Sequence, residues 1–210
     1  MAKLRVAPTK SNLLALKEQY SVAREGFELL EQKREILVME LMRRVEETKL
    51  LERALEKRVE TAYPALRRLL MAMGRDRAAE TAKGISIDHS ARERRVQAAG
   101  MTLLDVDFVP GKVSLPYSFG NSFAVCDQTM VEFTALLSAA ARLAAIRSMV
   151  WKLSREVRKT QRRVNALEKM VMPDTKETLR YVEGVLEERE REGFFTQKLI
   201  KAGRKEEGGS

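Results

Sequence analysis

Between Leu136 and Val171 apolar or small residues recur at Leu136, Ala139, Leu143, Ile146, Val150, Leu153, Val157, Thr160, Val164, Leu167 and Val171. All ten steps are three or four residues, and neither Gly nor Pro interrupts the chain from Asn121 through Met172. Such spacing is the seam of a coiled coil. A helix with one narrow apolar seam cannot bury it alone, so the fold has to provide a second helix.

The N-terminal part of the chain offers that helix. Leu13, Leu16, Tyr20, Ala23, Phe27 and Leu30 also alternate steps of three and four. Pro8-Thr9-Lys10-Ser11-Asn12 reads as a helix start, with hydroxyl and amide side chains able to cap free N–H groups. Gly26 is the only helix breaker before Pro64. The seam then slips phase: Arg34 and Arg44 fall on expected seam positions, and Leu37, Leu41 and Val45, then Leu55, Val59, Ala62 and Leu66, carry it on. Some 50 helical residues span on the order of 75 Å, too long for a compact domain. Pro64 predicts a kink, Ala65 to Met73 stays helical, and Gly74 ends or bends the chain.

From Arg75 the pattern changes. Asp76 to Gln97 is polar and weakly patterned. Met101 to Val109 is strand-like, with Leu104, Val106 and Phe108 alternating against Asp105 and Asp107. Pro110-Gly111 signals a turn, and Val113, Leu115, Tyr117 and Phe119 follow at period two. This predicts a β-hairpin over about 101–119. After Pro173, Leu179, Val182 and Leu186 resume helical spacing, so the second helix is bent or re-initiated there and runs on towards Leu199.

The expected fold is mainly α: a long antiparallel two-helix coiled coil made by the N- and C-terminal helices, with a small central insert containing the hairpin. The expected divisions are a coiled-coil helix over 1–74, an insert over 75–125, a second coiled-coil helix over 126–201 and a disordered tail over 202–210. The seam is expected to bury Leu13, Leu16, Tyr20, Phe27, Leu30, Leu143, Ile146, Val150, Leu153, Val157, Val164, Leu167 and Val171.

Composition narrows function. Charged residues are 33% and aromatics 6%, as in long helices. The formal charge of +9 suits an acidic protein, nucleic acid or a membrane surface without choosing among them. The single Cys126 excludes an intrachain disulfide and fits a reducing compartment. No unbroken run of about 18 apolar residues occurs, and MAKLRVAPTK lacks a signal-peptide core. The chain is therefore expected in the cytoplasm, without membrane insertion.

Catalytic constellations are missing from the sequence. There is no G-x-x-x-x-G-K-[ST] loop, His89 is the only histidine, and Cys126 has no CxxC partner. No catalytic residue, cofactor or metal is expected. His89 reads as an exposed histidine in a polar stretch. Met39, Met42, Met71 and Met73 read as gap-filling core or partner-facing surface. Trp151, beside the seam, reads as an interface anchor or as packing against the insert.

Charge patterning offers contact candidates. Lys152, Arg155, Arg158, Lys159, Arg162 and Lys169 cluster opposite the seam, either as a solvated face or as a stripe for an acidic partner. Nucleic-acid binding would use the same stripe but lacks an RNP pattern, a zinc finger or a basic-region zipper. The run Glu187 to Glu192 (EERERE) alternates in sign like an exposed, salt-bridged helix.

Two blocks carry a resemblance. At the N-terminus it rests on Arg5 to Lys17 (RVAPTKSNLLALK) and Lys33-Arg34-Glu35-Ile36-Leu37. At the C-terminus it rests on Thr160 to Glu168 (TQRRVNALE), Pro173 and the segment LRYVEGVLEERERE. The sequence resembles the D subunit of the V-type and archaeal-type rotary ATPases, the central rotor shaft. The resemblance implies a non-catalytic stalk subunit in the peripheral part of a membrane-bound complex. It would turn inside a ring of A and B subunits that holds the nucleotide chemistry. The F subunit would bind its side, and a funnel-shaped protein (the C or d subunit) would join it to the membrane rotor. It further suggests bearing or catch residues among Lys152, Arg155, Lys159, Arg162, Arg163 and Asn165, and among Glu187, Glu188, Arg189 and Arg191. A free-standing coiled-coil scaffold or tether is the alternative, and a nucleic-acid-binding coiled coil a more distant one.

Overall fold

A computed structural model describes residues 6–85, 87–111 and 124–207. The elements are α1 (Lys10–Met73), α2 (Arg75–Lys83), β1 (Ser90–Ala98), β2 (Met101–Val109), α3 (Ala124–Ala166), a π-helical turn (Leu167–Val171) and α4 (Met172–Glu207). The architecture is mainly α, with one long helical run at each end of the chain and a two-stranded sheet between them. Thr9 opens α1 by accepting from the Asn12 N–H at 3.3 Å. The helix passes through Pro64 without a break and stops at Gly74, whose φ of +79° a side chain would disfavour.

Two compact units divide the chain, residues 1–35 with 158–210 and residues 36–157. In the first, Lys10 meets Glu190 at 2.8 Å and Lys17 meets Glu183 at 2.8 Å. One heptad forward on α1 is one heptad back on α4, so the pair is antiparallel. The buried positions are Leu16 and Ala23 on α1, Thr160 and Val164 on α3, and Thr175, Thr178 and Val182 on α4. Leu13, Tyr20, Phe27, Leu30 and Leu167 are half-buried. Val171, expected in the seam, is exposed. The cause lies at Pro173, which has no N–H to give and whose ring crowds the preceding turn. The chain absorbs this by widening into the π turn, where the Met172 N–H reaches back to the Leu167 carbonyl. Burial then passes to Thr175.

In the second unit α1 and α3 are also antiparallel. Arg147 meets Glu52 at 2.5 Å, Thr61 meets Glu132 at 3.0 Å, and the Cys126 and Met73 sulfurs lie 3.8 Å apart. Leu37, Ile146, Met149 and Leu153 form a core that Leu103 of β2 joins, with Val150 and Val157 packed on it. Leu143 is buried nearby. Fully burying each such side chain is worth about 1.5–3 kcal/mol. Arg44, which interrupts the apolar pattern, stays charged. Burial opposes its charge, but the hydrogen bonds it donates to the Glu40 and Glu47 carboxylates, with their opposite charge, outweigh that and raise its pKa.

The hairpin differs from the expected one. Met101–Val109 is a strand, but its partner is the upstream segment Ser90–Ala98, in nine antiparallel pairs from Ser90↔Val109 to Ala98↔Met101. The turn is Ala99-Gly100, both at positive φ (51° and 71°), as a tight two-residue hairpin turn requires. The strand SARERRVQA escapes sequence reading because seven of its nine residues are exposed, so it shows no apolar alternation. The expected partner, 112–119, lies outside the described residues. Within β2 the most buried positions are Leu103 and Asp105, so the face holding Leu104, Val106 and Phe108 is not the one pressed into the core.

Helix α4 continues to Glu207, into the tail expected to be disordered. Ala202, Arg204, Lys205, Glu206 and Glu207 are good helix formers, which offsets Gly203. The run Ala124–Lys201 also meets the length and composition of a membrane span, with an 18-residue window of mean hydropathy 1.4. Leu143, Ile146, Met149 and Leu153 of this run are buried against the rest of the protein.

Candidate partner-contact surfaces

On α3, Lys152 and Arg155 are exposed in the second unit, and Lys159, Arg162 and Arg163 in the first; Lys169 is exposed in the π turn. Trp151 is exposed at 62%, and the Arg155 guanidinium lies 5.8 Å from its ring centre. This cation–π pair presents a flat apolar surface and a charge together. Asn165, expected among the bearing or catch contacts, is tied into the protein's own packing. It is half-buried and accepts a hydrogen bond from Gln161 Nε2 at 2.8 Å, while Gln161 Oε1 accepts from Arg34 Nη1 at 2.8 Å. Arg34 also binds Glu31. Asn165 therefore belongs to a polar layer inside the first unit. Sequence spacing hints at this layer only through Arg34, a charge on a seam position.

Glu187, Glu188, Arg189 and Arg191 are exposed on α4. Arg191 pairs with Glu187 at 3.7 Å and Glu188 at 3.5 Å along the helix. Arg189 reaches the Pro8 carbonyl at 3.2 Å. Each exposed pair of this kind adds only about 0–1 kcal/mol.

Beyond Glu190 the geometry changes. Lys10, the first residue of α1, is already opposite Glu190, whereas α4 runs on to Glu207. Phe194, Phe195, Leu199 and Ile200 lie on this overhang and are 69%, 69%, 61% and 55% exposed. Large apolar groups gathered at an uncovered helix end mark an interaction site. Sequence reading placed contacts in the charged run and passed over these residues. The available signal was arithmetical: in an antiparallel pair of this register, residues past Glu190 lie beyond the first turn of α1.

His89 is not simply exposed. It is half-buried, its ring centre 5.3 Å from that of Phe108, and its Nδ1 accepts the Gly111 N–H at 3.3 Å. The sequence's four singled-out methionines divide: Met39, Met42 and Met71 are exposed and Met73 is buried. A cavity of about 380 Å³ in the second unit is lined by Leu66, Leu70, Met73, Cys126, Met130 and Phe133 among others. Its two threonines, Thr81 and Thr129, donate to carbonyls of their own helices, so the cavity is apolar in character. Among the described residues no group of three or more His, Cys, Asp or Glu side chains could hold a metal ion.

Residues 12–202 match the profile of the family described as the D subunit of ATP synthase. The V-type ATP synthase D-2 subunit of Treponema pallidum is 44% identical over 200 residues, covering 95% of this chain and 96% of the relative. The V-type ATP synthase D subunit of Thermotoga neapolitana is 35% identical, covering 94% and 98%. The A-type ATP synthase D subunit of Pyrococcus abyssi is 35% identical, covering 95% and 94%.

Proposed function

The chain belongs to the family of ATP synthase D subunits, and we propose that within such a rotary complex it is the non-catalytic central shaft. In this reading it carries torque between an A/B ring, where nucleotide is made or hydrolysed, and an ion-translocating rotor in the membrane. The F subunit binds the shaft's side, and the funnel-shaped C (or d) subunit joins it to the membrane rotor. The chain then lies at the membrane's periphery, with no membrane insertion and no nucleic acid.

The observation that carries this reading is the apolar overhang of α4. Phe194, Phe195, Leu199 and Ile200 stand largely exposed past the start of α1, and such a tip needs a socket supplied by another protein. A ring cavity provides one. Torque transmission is a coupling free energy: at each angle the shaft favours one ring conformation over the others. That requires an asymmetric surface. The cations Lys152, Arg155, Lys159, Arg162 and Arg163 and the EERERE segment supply it, as bearing or catch contacts. Exposed charge pairs are individually weak, which lets the shaft leave one angular state for the next.

The test is coupled ion transport in the assembled complex. A chain truncated after Val171 keeps the 36–157 unit, and its complex should hydrolyse ATP with weakened coupling to transport. A Phe194→Ser, Phe195→Ser double variant, which alters no seam residue, should show the same fault more mildly. Unchanged coupled transport in both would overturn the shaft reading. A free scaffold or tether would instead purify without ATPase subunits, whereas a shaft copurifies with them in single copy.

A further inference from the structure

Besides its seam, α1 carries a second organised face between Ala15 and Leu29. Val22 and Leu29 are one heptad apart and 62% and 67% exposed. Ala15, a further heptad back, is exposed too. Residues seven apart stay on one line along a coiled-coil helix. This line is not the seam, which buries Leu16 and Ala23 one residue further on.

Gly26 lies four residues after Val22 and three before Leu29, and so sits between them on the helix surface. Glycine in a helix interior weakens the helix. No close packing among the described residues calls for it here, since a Cβ at Gly26 would meet no atom beyond its own helix backbone within 4 Å. The missing side chain leaves a notch open to the outside. On the neighbouring line Glu18 and Glu25 stand one heptad apart, both exposed, and the neutral Gln32 follows at the same spacing. Across the apolar line the flanking side chain is the neutral Gln19. The nearby cations Lys17 and Arg24 pair with Glu183 and Glu28. Lys33, four residues past Leu29, bounds the face at its C-terminal end. A protein of formal charge +9 thus presents an apolar line whose own flanking charges, from Ala15 to Leu29, are both acidic.

We propose that this face docks a basic amphipathic helix from another protein chain. Val22 and Leu29 would meet its apolar stripe, Gly26 would let its backbone approach closely, and the two glutamates would meet its Lys or Arg residues. The charge pattern selects this occupant, because an acidic helix or a second copy of the same face would set like charges against each other.

The probes are two designed helical peptides of four heptads with the same Leu seam, one flanked by Lys and the other by Glu, titrated against the full chain. The Lys peptide should bind about fivefold or more tighter than the Glu peptide at low salt, with the preference shrinking as salt rises. The Glu18→Lys, Glu25→Lys double variant should reverse that preference. Gly26→Leu should raise the melting temperature of the chain yet lose the Lys peptide, separating a docking role from a structural one. Equal binding of both peptides would overturn the proposal, as would full binding by Gly26→Leu or by a Val22→Ser, Leu29→Ser variant. A dimer in sedimentation that the latter variant dissociates would make a second copy the occupant, and would equally overturn it.

Discussion

The two units hold their helices together with different chemistry. The 36–157 unit closes on Leu37, Leu103, Ile146, Met149 and Leu153, large side chains that are at most 2% exposed. The other unit buries Leu16, Ala23, Thr160, Val164, Thr175, Thr178 and Val182. Large side chains interlock and specify one arrangement. Threonine fills less volume, and the Thr178 hydroxyl donates to the Asp174 carbonyl of its own helix at 2.7 Å. Alignment in the 1–35/158–210 unit therefore leans on polar devices: the Arg34–Gln161–Asn165 layer and the bridges from Lys10 and Lys17. Stability is uneven within proteins, and the weaker regions are those that act on or fit to partners. The proposed tip and the proposed docking face both lie in the polar-seamed unit.

The sharpest way to break this comparison is a matched pair of truncations. Leu153→Ala should cost about 2–5 kcal/mol, because it empties a fully enclosed site. Thr178→Ala, at a site equally buried, removes a methyl-sized group and a hydroxyl bonded to its own helix, and should cost about 1 kcal/mol. Chemical denaturation of the two variants measures both. Equal losses would mean that the two seams are energetically alike.

A second test asks whether the hairpin belongs to the stable unit. A Cβ on Gly111 would lie 2.4 Å from the Asp88 carbonyl oxygen and 2.9 Å from Ile87 Cγ2. The obstacle is backbone and cannot swing away. Gly111→Ala should therefore loosen the base of the hairpin, where the Gly111 N–H meets His89, at a cost of about 1–3 kcal/mol. Amide exchange should accelerate at Ser90 and Val109 and stay slow at Leu153. Faster exchange at Leu153 as well would show that hairpin and core open together.

The polar layer gives a third test. Glu31 Oε2 and Arg34 Nε are buried without a hydrogen-bond partner. Removing one charge strands the other, whereas replacing both removes the penalty. Arg34→Leu should cost about 1–2 kcal/mol, and Glu31→Leu with Arg34→Leu should recover most of it. A double-mutant cycle by thermal unfolding reads the coupling. Additive losses would show that the layer contributes nothing as a pair.

Much of this was legible in the sequence, for physical reasons that also mark where legibility ends. The three-four spacing of Leu143, Ile146, Val150 and Leu153 reports burial directly, since only an enclosed face selects apolar residues so regularly. β1 was not legible: Arg92, Glu93, Arg94 and Arg95 face solvent, and only pairing with β2 makes them a strand. Val171 misled because spacing cannot register a π turn, which shifts burial onward without altering the letters. Asn165 misled in the opposite sense, since a polar letter on a helix flank reads as outward until its partners Gln161 and Arg34 are in place. The site at Phe194 and Phe195 depends on where α1 begins, which no local pattern around residue 194 contains.

The smallest expected effect concerns acid. Asp105 is buried on β2, where Arg94 Nη2 donates to it at 2.7 Å and the Val106 N–H at 3.0 Å. The Arg94 bond, chiefly, holds its carboxyl below the usual carboxylate range, against a burial that works the other way. A carboxyl more acidic in the folded state than in the unfolded one adds stability above its unfolded pKa of about 3.9. That contribution fades as pH falls through the still lower folded value. The wild-type chain should therefore lose stability below about pH 4 more steeply than Asp105→Asn, with the two curves drawing together at the acid end. Because Arg94 is largely exposed, the difference should be small and should shrink further in salt. Parallel pH curves for the two proteins would mean that the Arg94 pair adds nothing to the hairpin's hold on the apolar unit, and that the apolar packing of Leu103, Met101, Ala98 and Ala99 fastens it there.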